Sequence, residues 1–213
     1  MAKTQRAKRS QRAKRSRRAT RSAAIERKTK ETQVALQLGL DGTGAGRIST
    51  TVPFLDHMLT LLATHGLFDL AVEARGDTDV DEHHLVEDVG IVLGKALAGA
   101  LGGKGGVARY GSATVPMDEA LATAAVDLSG RAFLRYTAAL PAKRIKRFEV
   151  QLVEEFLRAF AFNAQMTLHV VLESGRNTHH CVEAMFKAVA RALDAATRVE
   201  PRRGGVPSSK GVL

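Results

Sequence analysis

With one cysteine in 213 residues, Cys181 has no partner inside the chain, which excludes an intramolecular disulfide. A cytoplasmic, reducing environment is expected for such a protein. Nowhere does an apolar run approach the roughly 18 residues that would mark a membrane span. The basic start leads into no apolar segment of the kind a secretory signal carries. Acidic residues are missing from the first 24 positions, which hold ten of the 32 Lys and Arg. The formal charge of +10 therefore belongs to that stretch, and the remainder balances 22 basic against 22 acidic residues.

What is present at the start is a short repeat, Gln5-Arg6-Ala7-Lys8-Arg9-Ser10 followed by Gln11-Arg12-Ala13-Lys14-Arg15-Ser16. Like charges repel and there is almost nothing apolar to bury, so residues 1–24 are expected to form a disordered basic tail. Contact with nucleic acid is the functional reading of such a tail. A solvated tail is favoured, because the stretch has neither aromatics nor a folded basic face.

From Ile25 the pattern changes to that of a globular body whose 45% hydrophobic content is ordinary. Val34, Leu36, Leu38 and Leu40 alternate as in a strand and meet a turn at Asp41-Gly42-Thr43-Gly44. A second strand fits 47–52, a helix 54–65 ending at Gly66, a strand 67–74, and a long helix from His83 to about Leu101. After the glycine-rich connector 102–106 the order recurs: extended residues over 113–126, a strand over 131–139, a helix over 148–163, a strand over 166–173 and a helix over 178–198. The expected fold is α+β, with two duplicated half-domains (about 25–108 and 109–213), each a mostly β sheet with helices on one side.

The chemistry sits at the heads of the two long helices. His83-His84-Leu85-Val86-Glu87 recurs as His179-His180-Cys181-Val182-Glu183, 96 residues on. Neighbours on one helical face can close on one ion, so His83 can do so with Glu87, and either His180 or His179 with Glu183. The adjacent histidine is rotated by about 100° and points elsewhere. Four imidazoles and two carboxylates suit a borderline divalent transition metal. Aligning the halves sets His57, in Phe54-Leu55-Asp56-His57-Met58-Leu59, against Glu155.

These segments resemble imidazoleglycerol-phosphate dehydratase, as do Asp127-Leu128-Ser129-Gly130-Arg131, Phe186-Lys187-Ala188 and the closing Pro207-Ser208-Ser209-Lys210-Gly211-Val212-Leu213. The resemblance spans about 25–213 and implies a ribosomal protein S5 domain 2-like fold. It also implies dehydration of D-erythro-imidazole-glycerol phosphate to imidazole-acetol phosphate in L-histidine biosynthesis, through an imidazolate held by two Mn2+ ions per active site. By position one ion takes His57, His84, His179 and Glu183. The other takes His83, Glu87, His180 and Glu155, a position where many relatives carry histidine. His84, His180 and Glu183 are thereby catalytic, together with Glu31 as an acid–base residue that also touches substrate.

The resemblance further implies phosphate binding by Arg109, Arg131, Ser208, Ser209 and Lys210, since guanidinium forks, hydroxyls and a lysine suit a dianion. It places His65 near the substrate, whereas position alone reads His65 as a helix C-terminal cap. Lys187 is either a substrate contact or part of an exposed helix face. Asp118 and Glu119 are candidates for a supporting role, which the sequence leaves open. A homo-24-mer with sites completed across subunits is expected, without an added phosphatase domain and without a membrane partner. The competing enzymatic reading is a di-metal phosphoester hydrolase built from the same ligand types.

Overall fold

The computed structural model describes residues 21–211 and residue 213. The expected basic tail therefore lies outside the described residues, except at its inner end, where the expectation needs correction. The first strand, β1, runs Ser22–Lys28, so residues 22–24 belong to the sheet. Ala23 and Ile25 alternate toward the core, and Arg21 is tied to the Asp41 carboxylate (Nε–Oδ2 2.9 Å) and to the Thr197 carbonyl. Small residues with period two were too weak a signal beside ten like charges.

The rest of the first half comprises β2 (Thr32–Gly39), β3 (Gly46–Ser49), α1 (Pro53–Gly66), β4 (Asp69–Gly76) and α2 (His83–Leu101). The second half comprises β5 (Tyr110–Met117), β6 (Ala120–Asp127), β7 (Phe133–Thr137), a small hairpin of β8 (Arg144–Ile145) and β9 (Phe148–Glu149), α3 (Gln151–Asn163), β10 (Thr167–Ser174) and α4 (Thr178–Thr197). Two four-stranded sheets result, ordered β1-β2-β4-β3 and β5-β6-β10-β7. The pairings match one for one: antiparallel β1/β2 and β5/β6, antiparallel β2/β4 and β6/β10, parallel β3/β4 and β7/β10. The fold is α+β with duplicated halves. In each half three strands of the four-stranded sheet precede the first helix, one more than the alternation alone reveals, and the second half adds the β8–β9 hairpin.

Each sheet is apolar toward the helices. Val34, Leu36, Leu38, Leu70, Val72 and Ala74 line the inner face of the first sheet, and Ala120, Ala122, Ala124, Val126, Leu168 and Val170 that of the second. The helices meet across the halves, α2 against α3 and α1 against α4. Heads of helices from different halves are thus brought together. No helix among the described residues is long and apolar enough to cross a membrane.

Two glycines set how closely these layers approach. A Cβ on Gly111 of β5 would lie 2.0 Å from the Ala192 carbonyl oxygen, so α4 rests directly on the strand backbone. A Cβ on Gly94 of α2 would lie 2.6 Å from the Phe160 carbonyl oxygen and 2.8 Å from the Ala164 nitrogen. Helix propensity alone predicts that Gly94→Ala stabilises by about 1 kcal/mol. The backbone clash with α3 outweighs it, and the expected result is net destabilisation of about 1–3 kcal/mol. A thermal melt decides the sign: a raised midpoint would show that the helices part without cost.

Candidate metal centre

Local structure fixes the two histidine pairs before any tertiary contact does. The Asn177 side chain caps α4 by accepting from the backbone nitrogens of His179 (2.9 Å) and His180 (3.4 Å). Asp81 accepts from the His83 nitrogen at 2.8 Å, a similar role at the head of α2. At the head of α1, Asp56 accepts from Thr50 through its backbone nitrogen (2.8 Å) and hydroxyl (2.6 Å), which anchors the turn just before His57.

His57, His179 and Glu183 converge, their nearest ligand atoms all within 4.8 Å of one another. Glu183 Oε2 lies 3.3 Å from His57 Nε2 and 3.2 Å from His179 Nε2. His57 comes from α1 of the first half and the other two from α4 of the second, so the cluster forms where the halves meet. Phe54 packs edge-on against the His179 ring at 5.5 Å. The other Glu183 oxygen, Oε1, accepts from Lys187 Nζ at 2.6 Å. Burial works to raise the Glu183 carboxyl, but the Lys187 and His57 bonds outweigh it and hold it below the ordinary carboxylate range. Lys187 thus contacts Glu183 directly, and also approaches Met117 Sδ at 3.3 Å. His65 lies beside this group; burial first, then the Lys187 and Arg191 charges, lower its pKa.

The counterpart in the first half is partly formed. His83 Nε2 and Glu87 Oε2 are 3.7 Å apart, the same face and spacing as His179 and Glu183. Glu155, aligned with His57, lies 3.7 Å from Arg158 Nε and does not join that pair in a compact group. The remaining histidines stand outside both clusters. His84 Nδ1 is 3.1 Å from Asp77 Oδ2 and 3.9 Å from Glu31 Oε2. His180 Nδ1 is 2.8 Å from Glu119 Oε2 and 3.8 Å from Asp118 Oδ2. Within one chain, then, the expected ligand sets are incomplete: His84 is not with His57, His179 and Glu183, nor His180 with His83, Glu87 and Glu155. The 100° rotation between neighbours turns one of each pair away.

Of the residues expected to bind an anion, Arg109 and Arg131 lie elsewhere, around Asp127. Arg109 donates to both Asp127 oxygens (2.7 and 3.2 Å) and to the Pro207 carbonyl (2.8 Å), with its guanidinium 4.7 Å from the centre of the Tyr110 ring. Arg131 reaches the same carboxylate at 3.9 Å and is otherwise exposed. Ser208 accepts from the Lys210 nitrogen at 3.2 Å, while Ser209 and Lys210 are exposed. The Pro207 bond ties this last segment to Arg109.

The separation of the two groups is set by α4 itself. The Arg109 backbone nitrogen bonds the Ala196 carbonyl at 2.9 Å, near the C-terminal end of the helix. Glu183 is 13 residues upstream, roughly 20 Å at 1.5 Å per residue. One small substrate cannot span both groups of a single chain. Asp77 belongs to no motif in the sequence, and only the loop after β4 brings it to His84.

Comparison with known proteins bears on which chemistry this is. Residues 50–193 match the family model described as imidazoleglycerol-phosphate dehydratase. Relatives bearing that name include one from Geobacter metallireducens, 59% identical over 90% of this chain and 98% of its own length, and one from Geobacillus kaustophilus, 54% identical over the same shares. Among solved structures, imidazoleglycerol-phosphate dehydratase from Staphylococcus aureus superposes with a TM-score of 0.77 at 41% identity, over 84% of this chain and 99% of that one. A Pyrococcus furiosus structure gives a TM-score of 0.77 at 38% identity, over 89% of this chain and 100% of that one.

Proposed function

The chain belongs to the imidazoleglycerol-phosphate dehydratase family of hydro-lyases, and from that premise we propose that it dehydrates D-erythro-imidazole-glycerol phosphate to imidazole-acetol phosphate, a step of L-histidine biosynthesis, at manganese sites shared between copies of the chain. The convergence of His57, His179 and Glu183 carries this reading. Two imidazole nitrogens and a carboxylate oxygen are a donor set that manganese accepts, and one further imidazole would extend it. His84, turned away from its own chain's cluster, is the imidazole that another copy supplies. The second set is His83, Glu87 and Glu155 with His180 of another copy. Manganese bound there supplies Lewis acidity that draws charge out of the substrate ring.

The protein's own groups supply the rest. Arg131, with Ser208, Ser209 and Lys210, offers donors for the phosphate and fixes the distance from phosphate to ring. Glu31, at the exposed β1–β2 turn beside His84, is the carboxylate placed to move protons between the carbon and the leaving hydroxyl. Lys187 holds Glu183 in the orientation that serves both histidines. The roughly 20 Å between Glu183 and Arg109 supports a site composed of several chains, and a homo-24-mer is the assembly proposed.

An assay on the named substrate tests the reading. Chelator treatment should abolish ketone formation and manganese should restore it. Release of inorganic phosphate in place of a ketone would overturn the dehydratase and favour a phosphoester hydrolase.

A further inference from the structure

We propose that Glu119 and Asp77 are positioning residues, holding His180 and His84 in one tautomer with Nδ1 engaged and Nε2 left free to reach a metal. The proposal rests on the manganese reading above. A neutral imidazole has one N–H donor and one lone pair, and a carboxylate can only accept. A carboxylate on Nδ1 therefore fixes the proton there and the lone pair on Nε2.

The geometry separates the two members of each pair by role. His83 and His179 meet the carboxylate of their own helix through Nε2. His84 and His180 stand with their rings turned 88° and 90° to those neighbours and present Nδ1 to a carboxylate from a loop. Glu119 is anchored independently of His180. Its Oε1 accepts from the Arg176 and Asn177 backbone nitrogens at 3.1 and 2.7 Å, leaving Oε2 for the ring. Asp77 is placed by its own backbone nitrogen, which donates to the Glu31 carbonyl at 3.1 Å.

Duplication alone does not account for this agreement. Glu119 occupies the turn between β5 and β6, whereas Asp77 follows β4, which corresponds to β10 in the second half. The first-half counterpart of the β5–β6 turn carries Glu31, farther from its histidine at 3.9 Å. Two carboxylates from unrelated loops thus give two histidines the same orientation.

Manganese titration of metal-free protein, with bound metal measured after dialysis, tests the functional side. Glu119→Ala is expected to weaken half of the bound manganese by about ten- to a hundredfold and leave the other half unchanged. Glu119→Gln, whose amide oxygen still accepts from Nδ1–H, should recover most of that loss. Asp77→Ala and Asp77→Asn should do the same for the half that depends on His84. Parent-like affinity at both halves in the two alanine variants would overturn the proposal. The orientation has its own readout, the ring 15N shifts of histidine-labelled metal-free protein at alkaline pH, assigned by difference from His84→Ala and His180→Ala. Protons on Nδ1 are expected, and protons on Nε2 would overturn the proposal. A parent protein that binds no manganese would instead sink the manganese reading, while the ring shifts would still judge the orientation.

Discussion

Glu183→Gln is expected to lower dehydratase turnover by about a thousandfold or more, equivalent to roughly 4 kcal/mol of lost transition-state stabilisation. The carboxylate is the one group that both His57 and His179 approach, and an amide brings no charge to a cation. The substitution preserves shape, and its amide oxygen can still accept from Lys187. Glu183→Ala differs, because the Lys187 ammonium then loses its 2.6 Å partner in a largely buried setting. Leaving a charge unpaired there should cost about 3 kcal/mol of stability. The double variant Glu183→Leu with Lys187→Met removes both charges and should regain much of that stability while remaining inactive. Restored activity in the double variant, or near-normal turnover in Glu183→Gln, would show that the carboxylate is only a structural ion-pair partner.

Arg131→Ala is expected to raise KM by about a hundredfold while changing kcat far less, the pattern of a group that binds a phosphate without sharing in the chemistry. The Arg131 side chain is 72% exposed, so folding should barely register its loss. Arg109→Ala should behave differently. Arg109 holds Asp127 and the Pro207 carbonyl together, and its removal should lower thermal stability as well as affinity. Equal effects on kcat and KM in Arg131→Ala would move this residue from phosphate clamping to the chemical step.

Much of this was legible in the chain because the determinants are local and repeated. Alternating Val34, Leu36 and Leu38 place β2, and the helical spacing from Phe54 to His65 places α1. The doubled His-His-x-x-Glu marks the heads of α2 and α4, and at the head of α4 His179 and Glu183 meet His57. Helical spacing allows either His179 or His180 to share a face with Glu183, and in the folded chain His179 does so, at 3.2 Å. Most of the missed features depend on contacts distant in sequence or on elements too short to show a period. Ser22–Lys28 becomes a strand because β2 offers it an antiparallel edge, despite flanking like charges. The hairpin of β8 and β9 is too short to carry a periodic signal. Asp77 acquires its partner only when the loop after β4 folds back over the head of α2. Glu155, set against His57 by alignment, has Arg158 one turn along α3 as its neighbour within the chain.

The central claim is that one chain does not contain a complete site, since Glu183 and the Arg109–Arg131 group lie toward opposite ends of α4. The most direct measurement is subunit complementation. Purified Arg131→Ala and Glu183→Gln proteins, each nearly inactive, are dissociated with chelator, mixed in equal amounts and reassembled with manganese. If metal and phosphate groups of different copies form each site, random mixing places intact partners together in about a quarter of sites. Recovery of about a quarter of parental activity at subsaturating substrate is expected. Mixed assemblies no more active than their two components would contradict the shared site.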